Sequence, residues 1–182
     1  MNPRGRHYAA LKEHILSTYE DTYFGQDAIF LERNSRDSLR RIRTIDEHTE
    51  AVCDFLRSHS RAGGVADGVI KDVFYPKYEM RANYEKCRVE GGGFGGLFSV
   101  TFATPAASEA FFDALPFLKG PSLGTNFTLA CPYTVLAHYA ELAWAAEYQV
   151  ETGLVRVSVG LEPKNVLLEN VAKALKAAEA TR

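Results

Sequence analysis

The sequence is poor in the residues that usually advertise chemistry. It has three cysteines, Cys53, Cys87 and Cys131, far apart and never in C-x-x-C spacing. That argues against a zinc site or a disulfide framework and suits a reducing compartment. No run of about 18 apolar residues occurs, so no membrane span is expected. Met1-Asn-Pro-Arg-Gly-Arg6 leads into a polar amphipathic stretch, not an apolar signal core. Formal net charge is only −2, which gives no electrostatic case for nucleic acid. The cationic run Arg33, Arg36, Arg40, Arg41 and Arg43 reads as a solvated or interface helix face. The histidines, His7, His14, His48, His59 and His138, show no metal-ligand spacing, so no metal is expected. No Ser-His-Asp set can be assembled, and Ser122 and Ser158 lack the strand-turn-helix context of a nucleophile elbow. A cytoplasmic, soluble protein is the default.

What is present is an ordinary hydrophobic content of 46%, distributed in recognisable elements. Tyr8 to Tyr19 reads as a short helix with Leu11, Ile15 and Leu16 on one stripe. A loop over 20–27 follows. A long helical pattern then runs from Ala28 to His59, with a candidate break near Asn34-Ser35, since Asn and Ser favour caps and turns. A turn at 62–64 leads to a strand at Val69–Tyr75, stopped by Pro76, and 77–93 reads as a polar loop. Leu97–Phe102 is a strand by β-propensity. Thr104-Pro105 starts a helix, with Thr as N-cap and Pro in the first turn, running to Leu115. Pro121–Gly124 reads as a short extended piece and Leu136–Tyr148 as a helix. Leu154–Gly160 is a strand, and Pro163 opens a last helix. The order predicts a compact α/β sandwich, helices over a small mixed sheet, from about residue 60 onward.

Gly91-Gly-Gly-Phe-Gly-Gly96 satisfies G-x-G-x-x-G formally. The dinucleotide motif needs a strand before it and a helix after it. Here a polar loop precedes and a strand follows, so the run reads as a flexible strand entry with close backbone approach. Arg156 is the sharper feature. In Leu154-Val-Arg-Val-Ser-Val-Gly160 the side chains alternate, placing Val155, Val157 and Val159 on one face and Arg156 and Ser158 on the other. A guanidinium keeps its proton, so burial demands an anion, and its donor fork suits a carboxylate. Two plainer readings stand beside this one: a structural salt bridge to a neighbouring Asp or Glu, or solvent exposure on an outer face. Ser122-Leu123-Gly124 could supply a hydroxyl and backbone N–H groups to complete a carboxylate cradle.

Several segments together resemble the C-terminal part of a cystathionine γ-synthase of the fungal kind, within the pyridoxal-phosphate enzymes of cysteine and methionine metabolism. They are Asn2-Pro-Arg-Gly-Arg-His-Tyr8, Tyr19-Glu-Asp-Thr-Tyr-Phe24, Glu32-Arg-Asn-Ser-Arg-Asp37, Tyr75-Pro-Lys-Tyr78, Gly92-Gly-Phe-Gly-Gly-Leu97, Lys119-Gly-Pro-Ser-Leu-Gly-Thr-Asn-Phe-Thr128 and Leu154–Glu162. The resemblance covers essentially the whole chain. It implies the α/β C-terminal small domain of a fold-type I, aspartate aminotransferase-like enzyme. Residues 1–60 would be a helical remnant of the large domain with the linker helix, and 61–182 the substrate-closing domain. It implies that Arg156 clamps the substrate's α-carboxylate, assisted by Ser122 and Leu123 of the S-L-G turn. The family joins a cysteine thiol to an activated homoserine ester by γ-replacement.

The family's chemistry needs a lysine, in a Ser/Thr-Lys motif, that forms a Schiff base with pyridoxal 5'-phosphate. None of Lys12, Lys71, Lys77, Lys86, Lys119, Lys164, Lys173 and Lys176 stands in such a motif. Lys119 is near the cradle, yet it belongs to the matching family stretch, where it is not the Schiff-base residue. The resemblance therefore implies that Met1 begins past the catalytic core and that no cofactor-binding or catalytic residue is in this chain. The expectation is a truncated or split chain, inactive alone, that carries a substrate-carboxylate site. The alternatives are a non-catalytic oligomerisation or regulatory subunit of full-length relatives and a stand-alone amino-acid binder. A homo-oligomer or a missing N-terminal half are the partners this suggests.

Overall fold

A computed structural model describes residues 2–182. They fall into two compact units, one ending at Ser38 and one spanning Leu39–Arg182.

The first unit holds α1 (Tyr8–Thr18) and α2 (Gly25–Ser35), and neither helix has a buried residue. The long helical pattern is interrupted at Arg36-Asp37, next to the expected Asn34-Ser35 break, and α3 (Ser38–Ser58) follows.

The second unit is built on five strands: β1 (Ile70–Phe74), β2 (Leu97–Phe102), β3 (Leu118–Lys119), β4 (Leu129–Pro132) and β5 (Val155–Ser158). They lie in the order β1-β2-β5-β4-β3. All neighbours are antiparallel except β3 and β4, which makes the sheet mixed, as the sequence predicts. The alternation in β5 holds. Val155 and Val157 join one hydrophobic core with Phe98 and Val100 of β2 and Val52 and Leu56 of α3. Phe111 of α5 (Pro105–Ala114) and Leu167, Val171 and Leu175 of α8 (Lys164–Glu179) complete that core. Thr104 caps α5 by accepting a hydrogen bond from the Ala107 amide at 3.2 Å. Register sets Arg156 of β5 opposite Ser99 of β2 and Cys131 of β4. These three share the face turned away from Val155 and Val157.

The glycine run has a packing role. A Cβ on Gly93 would fall 2.4 Å from Asp46, and one on Gly96 2.5 Å from Ile45. The run thus lies against α3 closer than any side chain permits, and the Gly95 amide donates to the Asp46 carboxylate at 3.0 Å. The close approach expected from sequence is present, with no phosphate-binding helix after it.

Four expectations need correction. The polar loop 77–93 contains a short helix, α4 (Arg81–Glu85), where Arg81 pairs with Glu85 at 3.2 Å one turn on. Pro121–Gly124 forms no strand, and the extended piece lies just before it as β3. β4 was not anticipated; four residues bounded by a proline give too short an alternation to read. The expected helix 136–148 starts earlier and breaks in two, α6 (Tyr133–His138) and α7 (Leu142–Glu147), with a 3-10 turn between them. The non-helical φ of −129° at His138 and −140° at Glu141 mark the break.

Candidate functional site

β5 brings its two polar residues to one turn. The Arg156 guanidinium donates through Nη2 to the Pro121 carbonyl. Two residues along the same face, the Ser158 hydroxyl accepts from the Gly124 amide at 3.0 Å. The turn Pro121–Gly124 is therefore pinned at both ends by one strand. This follows from the period of two in an extended chain, which puts Arg156 and Ser158 side by side. Further support comes from the next segment, where Glu162 accepts from the Thr128 amide and hydroxyl, both at 2.7 Å. The Gly160 amide donates to Thr128 Oγ1 at 2.9 Å.

Among the described residues, no carboxylate pairs with Arg156. Of the plainer readings, the internal salt bridge is absent there. The guanidinium is half-buried, and its Cζ lies over the Tyr133 ring, 5.0 Å from the centroid. Cys131 stands opposite it on β4; burial pushes the thiol pKa up while Arg156 draws it back. Ser122 and Leu123 are exposed, and among the described residues their amides have no acceptor. The structure thus brings Arg156 to the residue preceding Ser122, and leaves the Ser122 and Leu123 N–H groups unclaimed. It commits Gly124's amide to Ser158. A cation whose donors are only partly used, beside two free amides, can receive a carboxylate in a bidentate and backbone-assisted manner.

Sequence reasoning gave Ser158 no role at the turn and missed two further contributors, Cys131 and Tyr133. Ser158 was legible as the same-face neighbour of Arg156. Cys131 depended on the unpredicted register of β4, and nothing local to Tyr133 announces a cation partner. Beside the turn opens a cleft of about 300 Å³ whose walls include Ile42, Ile45, Leu97 and Leu123. Asp46 also lines it; burial pushes its carboxyl above the usual value against the pull of the Gly95 and Gly93 amides.

Lys119 Nζ donates to the Leu115 carbonyl at 2.9 Å and to that of Phe112, closing the end of α5. Lys71 pairs with Glu151, Lys77 with Glu50 and Asp54, and Lys164 with Glu47. Lys86 donates to Asn83, Lys12 lies over Tyr8, and Lys173 and Lys176 are exposed on α8. Among the described residues, no lysine hydrogen-bonds to Arg156 or to Pro121–Gly124. Among the described residues, no helix is long and apolar enough to cross a membrane, and no group of three or more His, Cys, Asp or Glu could hold a metal ion.

Comparison with known proteins bears on the family of the chain. A cystathionine gamma-synthase-like enzyme of Amanita muscaria is 56% identical over 98% of this chain and 31% of its own length. The cystathionine gamma-synthase of Neurospora crassa is 47% identical, over 98% of this chain and 28% of its own. The chain thus spans about a third of the length of the curated relatives it matches. The solved cystathionine gamma synthase of Xanthomonas oryzae pv. oryzae, in complex with cystathionine, superposes with a TM-score of 0.70 at 27% identity. That match covers 82% of this chain and 38% of the other. A family model for Cys/Met metabolism PLP-dependent enzymes matches residues 25–176, and the chain belongs to that pyridoxal-phosphate-dependent family.

Proposed function

We propose that this chain carries the substrate-closing part of a cystathionine γ-synthase-like enzyme, acting in γ-replacement on an activated homoserine ester. In this reading Arg156 grips the substrate's α-carboxylate, with the Ser122 hydroxyl and the Ser122 and Leu123 amides beside it. The observation that carries the reading is the Arg156 fork, held at the Pro121–Gly124 turn with no carboxylate of its own. Residues 61–182 would close over substrate, and 1–60 would belong to the large domain and linker. The Schiff-base lysine would lie outside these residues, so the chain alone would be inactive. The lysine contacts above and the fraction of the relatives covered both support this. The same reading places the protein in the cytoplasm, in keeping with three free cysteines.

Calorimetry with O-acetyl-L-homoserine tests the clamp: heat should be lost in Arg156→Ala, and equal heats from both proteins would refute it. Incubation with pyridoxal phosphate and then borohydride tests the lysine. A stoichiometric adduct on one lysine, with turnover of homoserine ester and cysteine, would show a self-sufficient enzyme.

A second reading, a non-catalytic subunit that joins full-length relatives, is favoured by one observation. Leu16, Tyr19, Phe24 and Ile29 are all more than half exposed, an apolar surface that calls for a partner. Co-purification with a full-length relative supports it, and a monodisperse monomer indifferent to such a relative counts against it.

A further inference from the structure

Arg156 is held on several sides before any ligand arrives. Pro121's carbonyl accepts from Nη2, Cys131 stands opposite on β4, and the Tyr133 ring lies beneath the guanidinium carbon. Tyr133 is itself fixed. Its amide donates to the Leu154 carbonyl at 3.1 Å. Its ring meets the His138 ring edge-on, 5.7 Å between centroids at 73°, and His138 Nδ1 is 2.8 Å from Glu141 Oε1. The residue therefore forms an aromatic shelf at the junction of β4 and α6.

We propose that Tyr133 is a positioning residue for Arg156, presenting it as a preformed carboxylate fork; this rests on the clamp reading above. A ring face attracts a cation through its quadrupole while leaving the N–H edges uncovered. A long side chain so held has less freedom left to lose when the carboxylate binds. An aliphatic residue of similar bulk would fill the space without orienting the cation. Cys131, buried and weakly polar, gives the fork a second wall but supplies no charge.

The test uses the ¹⁵N-labelled chain and two observables: solvent exchange of the Arg156 Nε–H, and its shift on titration with sodium acetate against sodium chloride at equal ionic strength. Tyr133→Leu should speed the exchange about threefold and weaken acetate about fivefold. Tyr133→Phe, which keeps the π face, should stay within twofold of wild type on both. The Arg88 Nε–H, held by Glu85 at 2.8 Å, should be the same in all three proteins and reports that the fold is intact. Unchanged Arg156 exchange and acetate affinity in Tyr133→Leu overturn the shelf, as does a Tyr133→Phe as impaired as Tyr133→Leu. If acetate shifts nothing in wild type while the exchange difference persists, the clamp reading itself has failed, and Tyr133 is only a packing contact.

Discussion

Two sets of helices in this chain share a sequence pattern and differ in fate. α1 and α2 carry apolar residues at helical spacing, as α3 and α8 do. Yet Leu16 is 70% exposed and Ile29 63%, whereas Leu56 of α3 and Leu167 of α8 are 0% and 1% exposed. The difference is the presence of a surface to pack on. α3 and α8 have the core built on the sheet and α5; α1 and α2 have nothing in their own unit that buries a side chain. Amphipathic periodicity therefore records that a helix has an apolar stripe, not what meets it. Most helical stability in proteins comes from packing that stripe, so the two sets should respond very differently to the same mutation.

The largest contrast is expected from paired truncations. Leu56→Ala should cost about 3 kcal/mol through lost burial and a residual cavity. Leu16→Ala should change stability by less than about 0.5 kcal/mol, as for an exposed site without special contacts. Urea unfolding of both variants measures this. A cost for Leu16→Ala as large as that for Leu56→Ala would erase the distinction. Helix starts separate α5 from α1 and α2 at a smaller scale. Thr104 caps α5, while α1 and α2 begin at His7 and Phe24 with no side-chain cap. Thr104→Ala should cost about 1 kcal/mol, and His7→Ala should be silent in the same denaturation assay.

Much of the second unit was legible because its signals are local. β-propensity and period-two alternation marked β2 and β5, and the Thr104-Pro105 pair marked the start of α5. The glycine run was read as a close approach, and its neighbours turned out to be Asp46 and Ile45. What failed was either short or non-local. α4 has five residues and β4 four, too few for a period to emerge. The break between α6 and α7 contains neither Pro nor Gly, so no residue type announces it. At the site, Arg156 and its turn could be named, but the turn's second anchor had to be found in the pairing of Ser158 with Gly124. The opposition of Cys131 to Arg156 is a matter of register, which a single strand's sequence does not carry.

The smallest effect separates two carboxylates of the second unit by the sign of their pH dependence. Asp46 lines the cleft, where burial raises its pKa above the usual value despite the Gly95 and Gly93 amides. Its folded form thus holds more proton than the unfolded chain, and the stability it contributes is present at low pH and lost as pH rises through the folded value. Glu85 is the reverse case. The hydrogen bond from Arg88 lowers its pKa, so its contribution is present above the unfolded value and lost as pH falls through the folded one. Asp46→Asn should therefore gain on wild type as pH rises across the acidic range, and Glu85→Gln should lose ground over the same range. Urea midpoints between about pH 3 and 7 give both difference curves. Two curves of the same slope would mean that burial of Asp46 is outweighed by its amide donors. The glycine run would then act mainly as an anion cradle for that side chain, not as a backbone surface packed against α3.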